Sequence, residues 1–242
     1  MKKITLLAAV SMLAAAFVSC SKETPLQENG QEPAGTISVS VNGLLGEYVQ
    51  GDDTKAGLVS TTRISWGSGD KVYVYDGASC LGELTVSLKD GKDSYAILAG
   101  ENIAVPQSGT TKLTLVYSNS FESAPAISGG KVSLDMSNQT GVTSPNNLPF
   151  VAYATLDYSS GTPEISGEIV DFLLATSLMR LNCSGLTPST SITGATLKGM
   201  GSECVLDITK DGVVVGQGIV GSISLAFSDI SSSANGTQTI FA

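Results

Sequence analysis

Strict alternation of apolar and polar residues recurs along this chain and constrains it to a β fold. In residues 36–44, TISVSVNGL, the apolar side chains Ile37, Val39 and Val41 alternate with serine and asparagine, which is the period of a half-buried strand. Glycine, proline, asparagine and serine separate the segments of this kind, and Asp-Gly pairs at 90–91 and 211–212 predict hairpins. Residues 167–179 are the single helix candidate, but their continuous apolar run fits a buried strand equally well. The further alternating segments are 71–77, 82–100, 112–119, 131–137, 150–158, 176–186, 192–199, 204–216 and 222–228. The pattern predicts an all-β fold, a sandwich of antiparallel strands.

The first 20 residues have the form of a bacterial lipoprotein signal. Two lysines precede a short apolar stretch that ends in Ser19 and Cys20, and this stretch is too short for a permanent membrane-spanning helix. Phe17 departs from the usual aliphatic residue, so an ordinary secretory signal with an incidental cysteine stays open as the alternative. We expect residues 1–19 to be a signal peptide and Cys20 to carry the lipid. The polar, proline-containing residues 20–35 are expected to form a flexible tether.

Composition removes several function classes. The chain has no histidine, which excludes Ser-His-Asp catalysis, Cys-His pairs and His-ligated zinc. Its formal net charge of −9 and lack of a basic cluster argue against nucleic acid as a partner. The acidic residues in segments 50–55, 89–93 and 209–212 do not follow a calcium-loop pattern. We therefore expect no enzyme activity, no cofactor and no metal site. Cys80, Cys183 and Cys204 have apolar or small neighbours and are predicted to be core residues, with one disulfide possible between an unspecified pair.

The only tryptophan, Trp66, stands directly before the glycine-rich segment 67–70. A strand pattern follows that segment rather than a phosphate-binding lysine or a helix, so Gly67–Asp70 is predicted to be a tight turn. Trp66 itself is predicted to anchor the core, because an indole buries a large area. Stacking of Trp66 on a glycan is the alternative.

Two segments carry a resemblance to a known family. SWGSGDKVYVY (65–75) and DFLLATSLMRLNCSGL (171–186), placed after a lipoprotein signal and a polar tether, resemble the fimbrillin family, surface lipoproteins that build or cap the type V pili of Gram-negative bacteria. The resemblance covers about residues 36–228, and Leu174 stands near a position where many members have histidine. It implies tandem transthyretin-like β-sandwich domains, the first at 36–188 and the second at 189–242. The second is expected to be incomplete.

The same resemblance implies a function. We expect a lipid-anchored structural or adhesive component of fimbriae at the cell outer membrane, with other pilin subunits and a host or bacterial surface receptor as partners. Such subunits assemble by strand exchange after a protease removes the first strand, and Arg63 or Lys55 is the candidate cleavage site. Ile37, Val39 and Val41 form the apolar face of the strand that would be replaced, and an incoming strand would occupy the strand-exchange groove that they fill. A glycan-binding surface lipoprotein of a nutrient-uptake system is the alternative, and it predicts that Trp66 and Tyr73 or Tyr75 line an open groove.

Overall fold

Strands form the regular structure of the described part of the chain, which comprises residues 35–45, 47–48, 62–63, 65–90, 92–141, 150–216 and 218–241 of a computed structural model. The strands are β1 (Thr36–Leu45), β2 (Glu47–Tyr48), β3 (Thr62–Arg63), β4 (Lys71–Tyr75), β5 (Cys80–Lys89), β6 (Lys92–Ala104), β7 (Lys112–Tyr117), β8 (Ile127–Ser128), β9 (Lys131–Asp135), β10 (Asn138–Gly141), β11 (Ala152–Asp157), β12 (Glu164–Leu174), β13 (Arg180–Cys183), β14 (Ser191–Gly201), β15 (Glu203–Thr209), β16 (Gly212–Val215), β17 (Val220–Ser231) and β18 (Gln238–Phe241). Within these ranges no helix is long and apolar enough to cross a membrane.

Seven strands close into a barrel in the order β1-β12-β11-β7-β4-β5-β6. Their inward side chains form one apolar core that includes Val39, Val74, Leu98, Leu115 and Phe172. Alternation along each strand builds this core, because successive side chains of a strand point to opposite faces. The all-β fold class is confirmed. The closure of the sheet was not indicated by the sequence pattern.

Strands β4 and β7 are buried on both faces. Val72 and Val74 point into the barrel, whereas Tyr73 and Tyr75 point outward into a second apolar cluster shared with β9 and β15. A four-stranded sheet, in the order β16-β15-β9-β8, covers this side of the barrel. The sequence of a strand with both faces covered is a continuous apolar run rather than an alternation of apolar and polar residues.

The remaining strands form three smaller sheets, β10-β17-β14, β13-β18 and β2-β3, and a third apolar cluster contains Leu225 and Ile240. The described residues after Pro33 belong to one compact unit, Ala34–Ala242. Within it β9 pairs with β15 and β10 pairs with β17. The predicted division into domains at residues 188–189 stays a prediction.

Several local predictions can be checked directly. The hairpins β5–β6 and β15–β16 form at the two Asp-Gly pairs, so both are confirmed. Residues 167–174 lie in β12, which settles the ambiguous segment as a strand over that range. Its outward residues Ile169 and Leu173 are apolar yet 64% and 57% exposed, which is why no alternation was visible in the sequence.

Candidate strand-exchange site

Strand β1 closes the barrel between β6 and β12. It runs antiparallel to β6, with Val41 opposite Leu98, and parallel to β12, with Leu45 opposite Phe172. A tight turn cannot join parallel neighbours, so β1 is not part of a hairpin with β12. Without β1, the barrel would have two strand edges with unpaired backbone groups.

The inward face of β1 is apolar and fully covered. Ile37, Val39 and Val41, which were predicted to fill the strand-exchange groove, are 3%, 1% and 1% exposed. Burial of one aliphatic side chain of this size contributes about 1.5–3 kcal/mol, so the three together contribute at most roughly 5–9 kcal/mol. The slot that β1 occupies is therefore a deep apolar groove between two strand edges.

Trp66 lies against β1 inside the barrel, 3% exposed. Its ring packs on Tyr117, with 4.5 Å between ring centroids, and edge-on against Phe172 at 5.1 Å. Gly43 of β1 faces the indole so closely that a Cβ atom there would lie 3.0 Å from Trp66 Cζ2. The indole nitrogen Nε1 is buried, and it has no hydrogen-bond partner among the described residues. The ring thus fills space next to the first strand and acts through packing.

The turn after the tryptophan holds the ring in position. The Gly67 amide donates to Asp70 Oδ2 at 3.0 Å, and Gly69 adopts a φ of 88°, a left-handed conformation that favours glycine. Tyr117 Oη donates to the same Asp70 Oδ2 at 2.5 Å. Burial, and next the hydrogen bond to Asp70, raise the pKa of the Tyr117 hydroxyl well above its ordinary value. The Asp70 carboxylate therefore connects the predicted turn to Tyr117 in the core.

The candidate cleavage residues lie in the connection that follows β1. Arg63 is in β3, and its backbone pairs with Glu47 of β2. Lys55 and the lipidation candidate Cys20 lie outside the described residues, so both stay predictions. Cleavage after Arg63 would separate β1, together with β2 and β3, from the other six strands of the barrel.

The aromatic residues that the glycan-binding alternative requires are buried. Tyr73 and Tyr75 are 4% and 0% exposed, and Tyr75 Oη donates to the Pro125 carbonyl at 2.7 Å. With Trp66 buried in the barrel as well, these three rings do not form an open sugar-stacking surface.

The three described cysteines, Cys80, Cys183 and Cys204, are free thiols and form no disulfide. Cys204 is buried as predicted and Cys183 is half-buried, but Cys80 is exposed, so its predicted place in the core is wrong. Burial raises the pKa of the Cys204 thiol to about 11. Among the described residues, no group of three or more cysteine, aspartate or glutamate side chains is placed to hold a metal ion.

A second concave feature was not predicted from the sequence. A cavity of about 490 Å³ lies beside β14, β15 and β17, and Met136, Met179 and Met200 line it together with Cys204. These methionines are far apart in the sequence, and no motif marked them as neighbours. Methionine fills irregular apolar gaps well, which accounts for this composition.

No protein-family model matches the sequence, and no curated protein matches it. A fimbrial assembly protein from Parabacteroides distasonis is structurally similar at 11% identity and a TM-score of 0.35, covering 88% of this chain and 77% of that one. A candidate cell adhesion protein from the same species is similar at 10% identity and a TM-score of 0.39, covering 86% of this chain and 71% of that one. Both similarities are low in sequence identity and in TM-score.

Proposed function

We propose that this protein is a structural or adhesive subunit of cell-surface fimbriae, assembled by strand exchange after proteolytic removal of β1. In this proposal Cys20 carries a lipid that holds the precursor at the outer membrane, and the partners are other pilin subunits. A surface receptor would be a further partner of an adhesive subunit. The observation that carries the proposal is the position of β1, which fills an apolar slot between two strand edges.

The pairing of β1 supports its replacement by another strand. Its attachment to β6 and β12 consists of backbone hydrogen bonds and inward side chains, both of which a different extended segment can reproduce. The inward side chains Ile37, Val39 and Val41 are ordinary aliphatic residues. An incoming strand with the same alternation would restore the lost core and satisfy both edges.

The connection after β1 supports release by proteolysis. It contains Lys55 and Arg63 as its only basic residues between positions 46 and 63. One cut in this range would break the only covalent link between β1 and the later strands of the barrel. After the cut, only non-covalent contacts would hold β1, and loss of the strand would expose Leu98, Trp66 and Phe172 to water. Such exposure favours capture of another strand.

The proposal includes no catalytic role. Its support is chemical, since the chain lacks histidine and the described acidic residues do not form a metal-holding group. The glycan-binding alternative has no comparable support, because Trp66, Tyr73 and Tyr75 are buried.

A disulfide that fastens β1 to β6 tests the proposal. Ser40 and Ala99 lie opposite each other across these strands and are both exposed, and opposite residues of an antiparallel pair are within disulfide distance. We would prepare Ser40→Cys/Ala99→Cys in a chain that also carries Cys20→Ser and Cys80→Ser, to remove the lipidation site and an exposed thiol. The oxidised protein is treated with an arginine-specific protease. We expect cleavage without polymers, and polymer ladders on a gel after reductant is added.

The matched control places a disulfide elsewhere in the barrel. Lys112 and Asp157 are opposite residues of β7 and β11, and their surface ion pair contributes little to stability. Oxidised Lys112→Cys/Asp157→Cys should polymerise after cleavage like the unlinked chain. If the oxidised β1–β6 protein polymerised equally well, or if the unlinked chain stayed monomeric after cleavage, strand exchange at β1 would be wrong.

A further inference from the structure

The slot of β1 contains one position where the occupant has no room for a side chain. We infer that the strand accepted in place of β1 is an extended segment of another subunit that carries glycine at the position of Gly43, six residues after its first inward apolar residue. This inference rests on the proposed function and adds the chemistry of the partner. The pattern required is apolar-x-apolar-x-apolar-x-Gly-x-apolar, as in residues 37–45.

The restriction at Gly43 is steric. A Cβ atom at this position would lie 2.8 Å from Leu98 Cδ1, 3.1 Å from Leu98 Cγ and 3.0 Å from Trp66 Cζ2. Real Cβ atoms are essentially never found as close as 2.8 Å to another heavy atom, and the other two contacts are also tight, so the Leu98 side chain and the indole would have to move. The residue opposite Gly43 on β6 is the small Ala96, so the contacts that exclude a Cβ atom come from Leu98 and Trp66.

The two side chains that a Cβ atom at position 43 would meet, Leu98 and Trp66, have little freedom to move. Leu98 is fully buried, and Trp66 is packed between Tyr117 and Phe172. Close-packed interiors resist added volume, and an extra methyl group forces strained rotamers or backbone shifts. The slot therefore discriminates between glycine and every larger residue.

The same restriction fixes the register of the incoming strand. A shift of two residues would place a β-branched residue such as Val41 against Trp66, and a shift of one would turn the apolar face outward.

A bulge in the neighbouring strand β12 also fixes the register at the position next to Gly43. Strand β12 has a bulge at Gly167, where φ is 78°, and Asn42 Nδ2 lies 3.4 Å from the carbonyl oxygens of Gly167 and Glu168. Asparagine directly before the glycine is the residue that reaches this bulge.

Peptide exchange into the nicked protein tests the inference. A site-specific protease sequence is inserted between β2 and β3 of the full chain, so that the cut does not depend on Arg63. The nicked protein is incubated with labelled peptides of residues 36–45, and binding is followed by fluorescence anisotropy. The peptides carry the natural sequence, Gly43→Ala, Gly43→Val, or Ser40→Ala as the control, because Ser40 is outward and exposed.

We expect the natural and Ser40→Ala peptides to bind equally, Gly43→Ala to bind about tenfold more weakly and Gly43→Val roughly a hundredfold more weakly. Leu98→Ala in the nicked protein should restore part of the binding of the Gly43→Ala peptide, which a generally poor peptide would not show.

The outcomes separate this inference from the proposed function. If all four peptides bind equally, the glycine requirement is overturned and strand exchange is unaffected. If the natural peptide itself does not bind, strand exchange at this slot is overturned and the glycine requirement with it.

Discussion

Trp66→Phe should have almost no effect on stability, although Trp66 is among the largest buried side chains of the barrel. The indole has a buried N–H group, and no residue in the described part of the chain accepts a hydrogen bond from it. An unsatisfied buried donor costs about 1–3 kcal/mol, and phenylalanine removes it. The substitution therefore combines a loss of packing with the removal of an unfavourable group.

The two effects are of similar size. Phenylalanine leaves a void of roughly 40 Å³, which costs about 1 kcal/mol at ~24 cal/mol per Å³. The smaller apolar area adds about 1 kcal/mol. We expect the free energy of unfolding to change by less than about 1 kcal/mol in either direction, because the removed donor offsets about 1–3 kcal/mol. Trp66→Ala, by contrast, should cost about 3–5 kcal/mol.

Urea unfolding followed by circular dichroism measures these differences without relying on tryptophan emission. Phe172→Leu is the matched control, since Phe172 contacts the same indole, is 1% exposed and has no polar atom to remove. It should cost about 1–2 kcal/mol, more than Trp66→Phe. A loss of more than about 2 kcal/mol for Trp66→Phe would refute the reasoning, because it would mean that the indole N–H contributes favourably.

Three further predictions concern the core and its titratable groups. Tyr75 and Tyr117 have pKa values raised mainly by burial, so above pH ~10 the unfolded chain loses these protons first and stability falls by about 1.4 kcal/mol per pH unit for each tyrosine. Tyr117→Phe should make that slope shallower by about 1.4 kcal/mol per pH unit in unfolding measurements between about pH 10 and 11.5, and an unchanged slope would contradict it. Cys204 is buried, and its pKa is raised to about 11, so it should react with a thiol reagent much more slowly than the exposed Cys80. Mass spectrometry of the labelled protein measures both rates, and equal rates would contradict the burial of Cys204. Val41→Thr should cost about 1–3 kcal/mol because it buries a hydroxyl, whereas the exposed substitution Ser40→Thr should change stability by less than about 0.5 kcal/mol in the same urea assay.

Local chemistry made much of the candidate site predictable. Alternation over residues 36–44 identified β1 and its inward face, since side-chain direction in a strand follows from backbone geometry alone. The Asp-Gly pairs marked two hairpins, and the glycines after Trp66 marked a turn, because left-handed backbone favours these residues. Each of these signals lies within a few residues of the structure that it predicts.

The sequence by itself thus determined which segments are strands, where they turn and which side of β1 is apolar. Only the tertiary structure decided that β1 pairs in parallel with β12, more than a hundred residues later, and that Gly43 meets Trp66 and Leu98. It also decided that Tyr73 and Tyr75 are covered by β9 and β15 and that Met136, Met179 and Met200 share a cavity. The physical reason is that periodicity records how a strand alternates between two faces, whereas the strand's neighbours are chosen by long-range packing of apolar surfaces that many pairings could satisfy.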